Sequence, residues 1–479
     1  MTNFNLICLL YETIIRIESQ KINLKHQFKT INRIGKIIFF FVILSANCLF
    51  FSTLAYCENN TTIVADKERI VARDQSVADK DLVKKIMDKV NRYQREHPHA
   101  KYDDNWIRGT YYAGVMACYQ KTGDKTYLEQ CNTLGKQLNW KIPLEKPNAR
   151  ASGANLLTLG QTWIESYIIN ADKQKIEPLI GQLENLQSKN PISRPSDWYF
   201  EGGRHYVDSL FTGPPTLAML YSVTKNEKYL QWMDAFFWDV HKTLYDKETN
   251  LFYRDARFFP NKMKTPDGKK ILWSRGNGWA FAGIARILKY LPKDHVSYKR
   301  YEQLFREMAS ALKSCQSSEG FWYPNLADAA QFPVKETSGT AFFVYGFAYG
   351  VNNGILEKDI YLPVVEKGWK VLCESVSDEG KLQWGQHVGD RPVFIKQEDS
   401  HEYVSGTFLL AASEVYQLSQ QSDKAVFQLS DKIQTFLARL KTPIKNVPLE
   451  IEKTALSRND YLNVIERQVK TFRQYRDST

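Results

Sequence analysis

Six short segments of this sequence carry residue types suited to a polar, ring-shaped ligand. They are Asp103-Asp-Asn-Trp-Ile-Arg108, Ala151-Ser-Gly-Ala-Asn155, His205-Tyr-Val-Asp208, Trp273-Ser-Arg-Gly-Asn-Gly-Trp279, Glu336-Thr-Ser-Gly-Thr340 and His401-Glu-Tyr-Val-Ser405. Asp208 is the best candidate for an acid or base. It enters an apolar stretch between Val207 and Leu210, and a carboxyl group drawn out of water is suited to holding and then delivering a proton. A helix N-cap is the competing role, because Asp is common there. Arg275 offers a planar fork that matches a carboxylate, or serves equally as half of an internal ion pair. Trp106, Trp273 and Trp279 lie in the same segments. Aromatic faces beside Asp, Asn and Arg are what a pyranose ring needs, stacked on its apolar face and hydrogen-bonded through its hydroxyls. Trp273 and Trp279 bracket Arg275 among glycines and read as a ligand-contacting loop, whereas Trp163, Trp232, Trp238 and Trp369 lie on helical patterns and read as core.

Each segment stands just before, or at the start of, a helix that is apolar all round. The apolar helices are expected at Gly109 to Tyr119, Leu156 to Ile169, after Asp208, Trp279 to Leu291, Thr340 to Val351 and Tyr403 to Leu418. Short polar turns such as Thr224-Lys-Asn-Glu-Lys-Tyr-Leu230 lead from them into charged, amphipathic helices, and another amphipathic helix from Leu82 to Arg95 precedes them all. Helices apolar all round belong inside, and those with one polar face belong outside. Six such hairpins cannot bury their inner faces alone and must close or stack. The expected fold is all-α, an (α/α)6 barrel with a C-terminal helical extension; an open superhelix of the same repeats is the alternative. Parallel inner helices would open all six segments at one mouth. Six helix N-termini there would favour an anionic ligand.

The chain has 479 residues, 43% of them hydrophobic and 13% aromatic, which excludes disorder and disulfide-scaffold classes. Its net charge of +11 is unevenly spread. Six basic and two acidic residues fall before Cys57 and eleven and seven after Gln421, which leaves only +3 for the barrel. The total therefore says little about a substrate, and no basic-aromatic nucleic-acid module is present. An apolar run from Ile37 to Leu54, preceded by Lys21, Lys25, Lys29, Arg33 and Lys36 and followed by Ala55-Tyr-Cys57, fits a signal peptide. A misassigned start codon or a retained membrane anchor are alternatives for this long leader. The domain reading is 1–57 leader, 58–420 barrel and 421–479 helical tail, with export to the periplasm or beyond and a monomer or weak homo-oligomer. Cys118, Cys131, Cys315 and Cys373 form no CxxC pair and read as buried thiols, although Cys118 and Cys131 could pair across a helical hairpin.

Tyr206-Val-Asp-Ser-Leu-Phe-Thr-Gly-Pro-Pro215, Trp273 to Trp279, Glu336 to Thr340 and Glu402-Tyr-Val-Ser-Gly-Thr-Phe-Leu-Leu-Ala411 together resemble glycoside hydrolase family 105 and its relative family 88. These are unsaturated glucuronyl or galacturonyl hydrolases, and the resemblance spans about residues 80–420. It implies an (α/α)6 barrel without metal or cofactor, acting on the 4,5-unsaturated uronic acid that polysaccharide lyases leave at a non-reducing end. It also implies hydration rather than the two-carboxylate displacement of ordinary glycosidases. An Asp protonates C4, water adds at C5, and the resulting hemiketal rearranges to release the neighbouring sugar. Asp208 matches that donor. Arg275 and Trp279 would hold the unsaturated sugar, Trp106 and Arg108 would line the mouth, and Trp273, Asn277 and Thr340 complete the contact candidates from the same motifs.

Three features depart from the family pattern. Asn155 stands where members often place a second Asp; an amide cannot exchange a proton, but it can bind a hydroxyl or hold Asp208. Arg254 stands where some members have His, and with Arg257 it would suit an anionic or sulfated neighbouring sugar. The tail from 421 to 479 is outside the usual pattern. The expected substrates are lyase products of ulvan or rhamnogalacturonan type, and a non-catalytic glycan-binding protein on the same scaffold is the alternative that Asn155 motivates.

Overall fold

A computed structural model describes residues 79–99, 105–142, 153–189 and 205–439. The described residues lie almost wholly in the unit Ile70–Gln428. Among them are twelve helices of at least eleven residues. In chain order they are α1 (Lys80–Glu96), α2 (Trp106–Thr122), α3 (Lys125–Gln137), α4 (Thr158–Asn170), α5 (Glu177–Lys189), α6 (Pro214–Thr224), α7 (Lys228–Leu244), α8 (Ser274–Tyr290), α9 (Tyr298–Ser314), α10 (Thr337–Asn352), α11 (Lys358–Glu374) and α12 (Glu402–Arg439). Even-numbered helices form the inner ring and odd-numbered ones the outer. The partition follows side-chain pattern. On α8 every residue from Ser274 to Leu288 is buried and on α10 every residue from Thr337 to Val351, while α1 and α9 bury one stripe each, Val83, Ile86, Met87 and Val90 on α1 and Tyr301, Leu304, Phe305 and Met308 on α9.

The inner ring closes. Neighbours pack in the order α2, α4, α6, α8 and α10, and Asn352 Nδ2 donates to the Glu414 carbonyl at 2.9 Å, joining α10 to α12. From α12 back to α2 the two backbones almost touch: a Cβ added to Gly114 would lie 2.3 Å from the Gly406 oxygen, and one on Gly406 2.5 Å from the Thr110 oxygen. Only glycine permits that approach. The chain is therefore an (α/α)6 toroid rather than an open superhelix.

Helix ends are set by local chemistry. Asn105 Oδ1 accepts from Ile107 N at 2.8 Å to start α2, Gly123 at φ +72° ends it, and Asp124 caps α3. Buried Glu336 opens α10 by accepting from Ser338 N at 2.9 Å and Gly339 N at 2.6 Å. One expectation is corrected: Trp273 to Trp279 is not a loop, because α8 begins at Ser274. Gly276 and Gly278 are there for packing, since added Cβ atoms would lie 3.0 Å from Val207 and 2.9 Å from Phe342. Two short strands, β1 (Tyr245–Asp246) and β2 (Leu251–Phe252), pair as a hairpin before Arg254.

At the end opposite the mouth the ring is plugged by charge. Glu165 and Arg286 are both fully buried, with Arg286 Nη2 3.2 Å from Glu165 and Arg286 Nε donating to Gln161 at 2.6 Å. Burial alone would push the Glu165 carboxyl up, but Arg286 and Lys289 outweigh it and hold it below the usual range. Cys118, Cys131, Cys315 and Cys373 are all free, so the Cys118 to Cys131 pairing does not form here. Among the described residues no helix is long and apolar enough to cross a membrane. The leader, and the end of the tail beyond Arg439, lie outside the described residues.

Candidate active site

Short helical turns, Gly153–Leu156 and Ser209–Thr212, precede α4 and α6, and Asn155 and Asp208 sit on or against them. Asp208 occupies the N-cap position of its turn but makes no side-chain capping bond. Its Oδ2 instead accepts from Arg254 Nε at 3.1 Å, with the carboxylate side chain 17% exposed and the arginine 20%. The same two segments are joined through the backbone, where Val207 N donates to the Arg254 carbonyl at 2.9 Å. Asp208 is thus near the surface, ion-paired and reachable.

Arg254 is held from behind. Its Nη1 donates to Asp255 Oδ2 at 2.7 Å and its guanidinium lies 5.2 Å over the Tyr206 ring. Burial works against the Arg254 charge, but Asp208, Asp255 and Asp390 outweigh it and raise its pKa. Asp255 also receives Arg257 Nε at 2.8 Å and Nη2 at 2.6 Å, and Arg257 Nη2 reaches Asp390 Oδ2 at 2.7 Å. Burial would raise the Asp255 pKa, yet the bonds from Arg257 and Arg254 pull it below the usual carboxylate range. Asp390 is lowered in the same way, first by Arg391 and then by Arg257.

Asn155 faces the same corner. Its Oδ1 accepts from Tyr206 OH at 3.2 Å and from Thr212 Oγ1 at 3.5 Å. Burial pushes the Tyr206 phenol well up, and the nearby Asp208 adds to it, so Tyr206 stays a donor. Asn155 and Asp208 are therefore neighbours through one phenol and one turn.

Arg275 is only 1% exposed. Its Nη1 donates to the Gln386 carbonyl at 2.9 Å and to the Tyr403 hydroxyl, and its Nη2 to the His387 carbonyl at 3.0 Å. The guanidinium stacks 4.3 Å over Trp273 and 5.1 Å from the Tyr403 ring, while Trp273 Nε1 donates to Gln386 Oε1 at 2.9 Å. The fork is turned onto the 386–389 segment. Asn277 and Thr340 are likewise buried in internal bonds. Asn277 pins β2 by accepting from Phe252 N at 2.8 Å and donating to Phe252 O at 3.0 Å, and so fixes the hairpin that delivers Arg254. Thr340 Oγ1 donates to the Glu336 carbonyl at 2.7 Å and accepts from Trp322 N at 3.2 Å.

Aromatic rings fill the centre of the mouth. Trp279, 2% exposed, lies 4.4 Å from Phe342, 5.1 Å from Phe211 and edge-on to Trp106 at 5.8 Å. Trp106, partly exposed, also leans on Tyr403 at 5.1 Å. Arg108 is paired with Glu402 at the start of α12. It borders a cavity of about 510 Å³ that Gln94, Arg95, Tyr111, Gln130 and Glu402 also line. Among the described residues no group of three or more His, Cys, Asp or Glu is placed to hold a metal ion.

Several partners escaped the sequence reading. Tyr206 and Tyr403 stood inside quoted motifs next to more obvious candidates, and Asp255 directly follows Arg254. Gln386 and Asp390 had no local signal, because they come from a connecting segment more than 100 residues from Arg275 and Arg257. A carboxylic acid against an arginine, with an amide and a phenol beside it, can deliver a proton to a bound sugar and bind its anionic groups.

A family model described as Glycosyl Hydrolase Family 88 matches residues 79–419. Two proteins named unsaturated 3S-rhamnoglycuronyl hydrolase are similar to this chain. One from Alteromonas sp. (strain LOR) is 33% identical over 323 residues, covering 65% of this chain and 77% of its own length. The other, from Formosa agariphila, is 32% identical over 347 residues, covering 70% of this chain and 90% of its own. A solved structure described as a glycosyl hydrolase family 88 protein from Bacteroides vulgatus aligns with a TM-score of 0.64 at 32% identity, covering 70% of this chain and 99% of that one.

Proposed function

Because the chain belongs to glycosyl hydrolase family 88, we propose that it removes the 4,5-unsaturated uronic acid from the non-reducing end of oligosaccharides made by polysaccharide lyases. The observation that carries the site assignment is the contact of Asp208 with Arg254 at the end of the toroid where the inner helices begin. Asp208 in its acid form gives its proton to C4 of the enol ether while water bonds to C5, and the water returns a proton to the carboxylate. The C5 hemiketal opens to a ketone, and the hemiacetal left at C1 collapses to release the neighbouring sugar. One water is consumed and no redox partner is needed. Asn155 takes no proton in this scheme; with Tyr206 it orients the corner beside Asp208.

The substrate class is a rhamnose-uronate product, and a sulfated rhamnose next to the uronate fits best. Arg254 and the 39%-exposed Arg257, although ion-paired, supply the guanidinium donors for it, and the names of the Alteromonas and Formosa relatives support it. Trp106, partly exposed and backed by buried Trp279, supplies the stacking face, while Arg275 acts by holding the 386–389 segment. The apolar run from Ile37 to Leu54 supports an exported enzyme. The test is to mix the protein with lyase-generated ulvan, pectin and glycosaminoglycan oligosaccharides and follow the ultraviolet absorbance of the conjugated enol ether. Loss of that absorbance with release of the shortened oligosaccharide is the expected result. Binding without loss, on every substrate, would sink the enzymatic reading.

A further inference from the structure

We propose that Asp255 is a positioning residue for the reaction: it aims Arg254 at Asp208, and the Arg257–Asp390 pair holds Asp255 in turn. The inference rests on the role given to Asp208 above. An arginine side chain is long and rich in rotamers, so a guanidinium that must meet one carboxylate oxygen in one direction needs a second anchor. Asp255 is that anchor. It is 5% exposed, and its two oxygens receive Arg254 Nη1 at 2.7 Å, Arg257 Nε at 2.8 Å and Arg257 Nη2 at 2.6 Å. Arg254 is left with Nε on Asp208 at 3.1 Å, and among the described residues no acceptor meets its Nη2. The arrangement is a row of alternating charge, Asp208, Arg254, Asp255, Arg257, Asp390 and Arg391, that runs from the acid to the half-exposed segment carrying Asp390.

The row has a direction. Asp255 is the one carboxylate in it that binds two guanidiniums while itself buried, so its charge cannot be replaced by water. Displacing the cation beside the reacting acid by about 1 Å is enough to lower turnover by as much as 10²-fold. A competing role exists, because Asp255 Oδ1 also caps the turn Ala256–Phe258 by accepting from Arg257 N at 2.9 Å. Asparagine caps as well as aspartate does but lacks the charge, which separates the two roles.

The experiment is a double-mutant cycle on the full chain with the best unsaturated oligosaccharide from the panel above. Asp255→Asn is expected to lower kcat about tenfold or more with a smaller change in KM, in protein that is still folded at the assay temperature although its thermal midpoint is lower, and Asp255→Glu to recover part of the loss. In an Arg254→Ala background Asp255→Asn should cost less than about twofold, since residues that act through one another are not additive. Arg257→Gln, whose side chain is 39% exposed, is expected to show a smaller kcat loss and keeps the test open if Asp255→Asn folds poorly. Multiplicative losses in the cycle, or a lowered thermal midpoint with kcat intact, would overturn the positioning role. Wild-type protein that turns over none of the panel would overturn the function itself and this role with it.

Discussion

Val207 N donates to the Arg254 carbonyl at 2.9 Å while Arg254 Nε reaches the carboxylate of Asp208, the residue that follows Val207. The acid and its cation are thereby tied twice, once through backbone and once through side chain. Asn277 fixes β2 against α8 and so presents the segment that carries Arg254 at that place. The proposed proton donor is thus set by three segments: its own turn, the hairpin and the first turn of α8.

Asp208→Asn keeps the shape of the corner and removes the exchangeable proton. Turnover of unsaturated oligosaccharides should fall by about 10²- to 10⁴-fold, the usual contribution of a general acid, with little change in thermal midpoint. Absorbance assays on matched protein concentrations check it, and retained turnover would remove Asp208 from its role.

Tyr206→Phe deletes the hydroxyl that bonds Asn155 at 3.2 Å. A hydrogen bond of that kind is worth about 1 kcal/mol, so kcat should drop roughly fivefold. Asn155→Ala should give a similar loss, and the two together no more than either alone. Steady-state kinetics of the three variants decide it; independent, multiplying losses would show that the phenol and the amide act separately.

Arg275→Lys replaces a fork with a point charge. The buried Gln386 carbonyl or the part-buried His387 carbonyl loses its arginine donor, which costs about 1 kcal/mol or more. A lowered thermal midpoint should accompany any loss of activity, unlike the behaviour of Asp208→Asn. A stable, inactive Arg275→Lys protein would instead point to direct substrate contact.

At the plugged end, Arg286→Met leaves buried Glu165 with Lys289 at 3.4 Å as its remaining cation among the described residues and should destabilise the fold by up to about 3–5 kcal/mol. The double variant Glu165→Leu with Arg286→Met should recover much of that in a denaturant titration. Because the Glu165 pKa is lowered on folding, its contribution is complete above the unfolded carboxylate value and is lost as pH falls through the folded one.

His401 gives a second, milder acid sensitivity. Burial first, then the charges of His99, His387 and Arg275, bring its pKa down from 6.5 to about 3. Between those values the unfolded chain binds a proton that the folded chain refuses, so stability should fall as pH drops below 6.5. Thermal midpoints at pH 7 and pH 5 should differ less for His401→Gln than for wild type; equal differences would show that His401 does not carry the effect.

By itself the sequence determined the fold class, because inner and outer helices differ in how many of their faces are apolar, and that difference is local and periodic. The approximate spans of α1, α2, α10 and most other helices were legible for the same reason, whereas Asp208, Asn155 and Arg254 were singled out together by the family resemblance, and folding brings them to one corner. Tertiary structure alone decided what those residues face. Nothing near Arg275 in sequence says that the carbonyls of 386 and 387 will use up its donors, and glycines that suggest a loop around it instead let α8 approach Val207 and Phe342. Closure of the ring at Gly114 and Gly406, and the charge row from Asp208 to Asp390, join segments far apart in the chain. Periodicity reports which face of an element is buried, whereas the direction of a guanidinium depends on acceptors that only folding brings within hydrogen-bond reach.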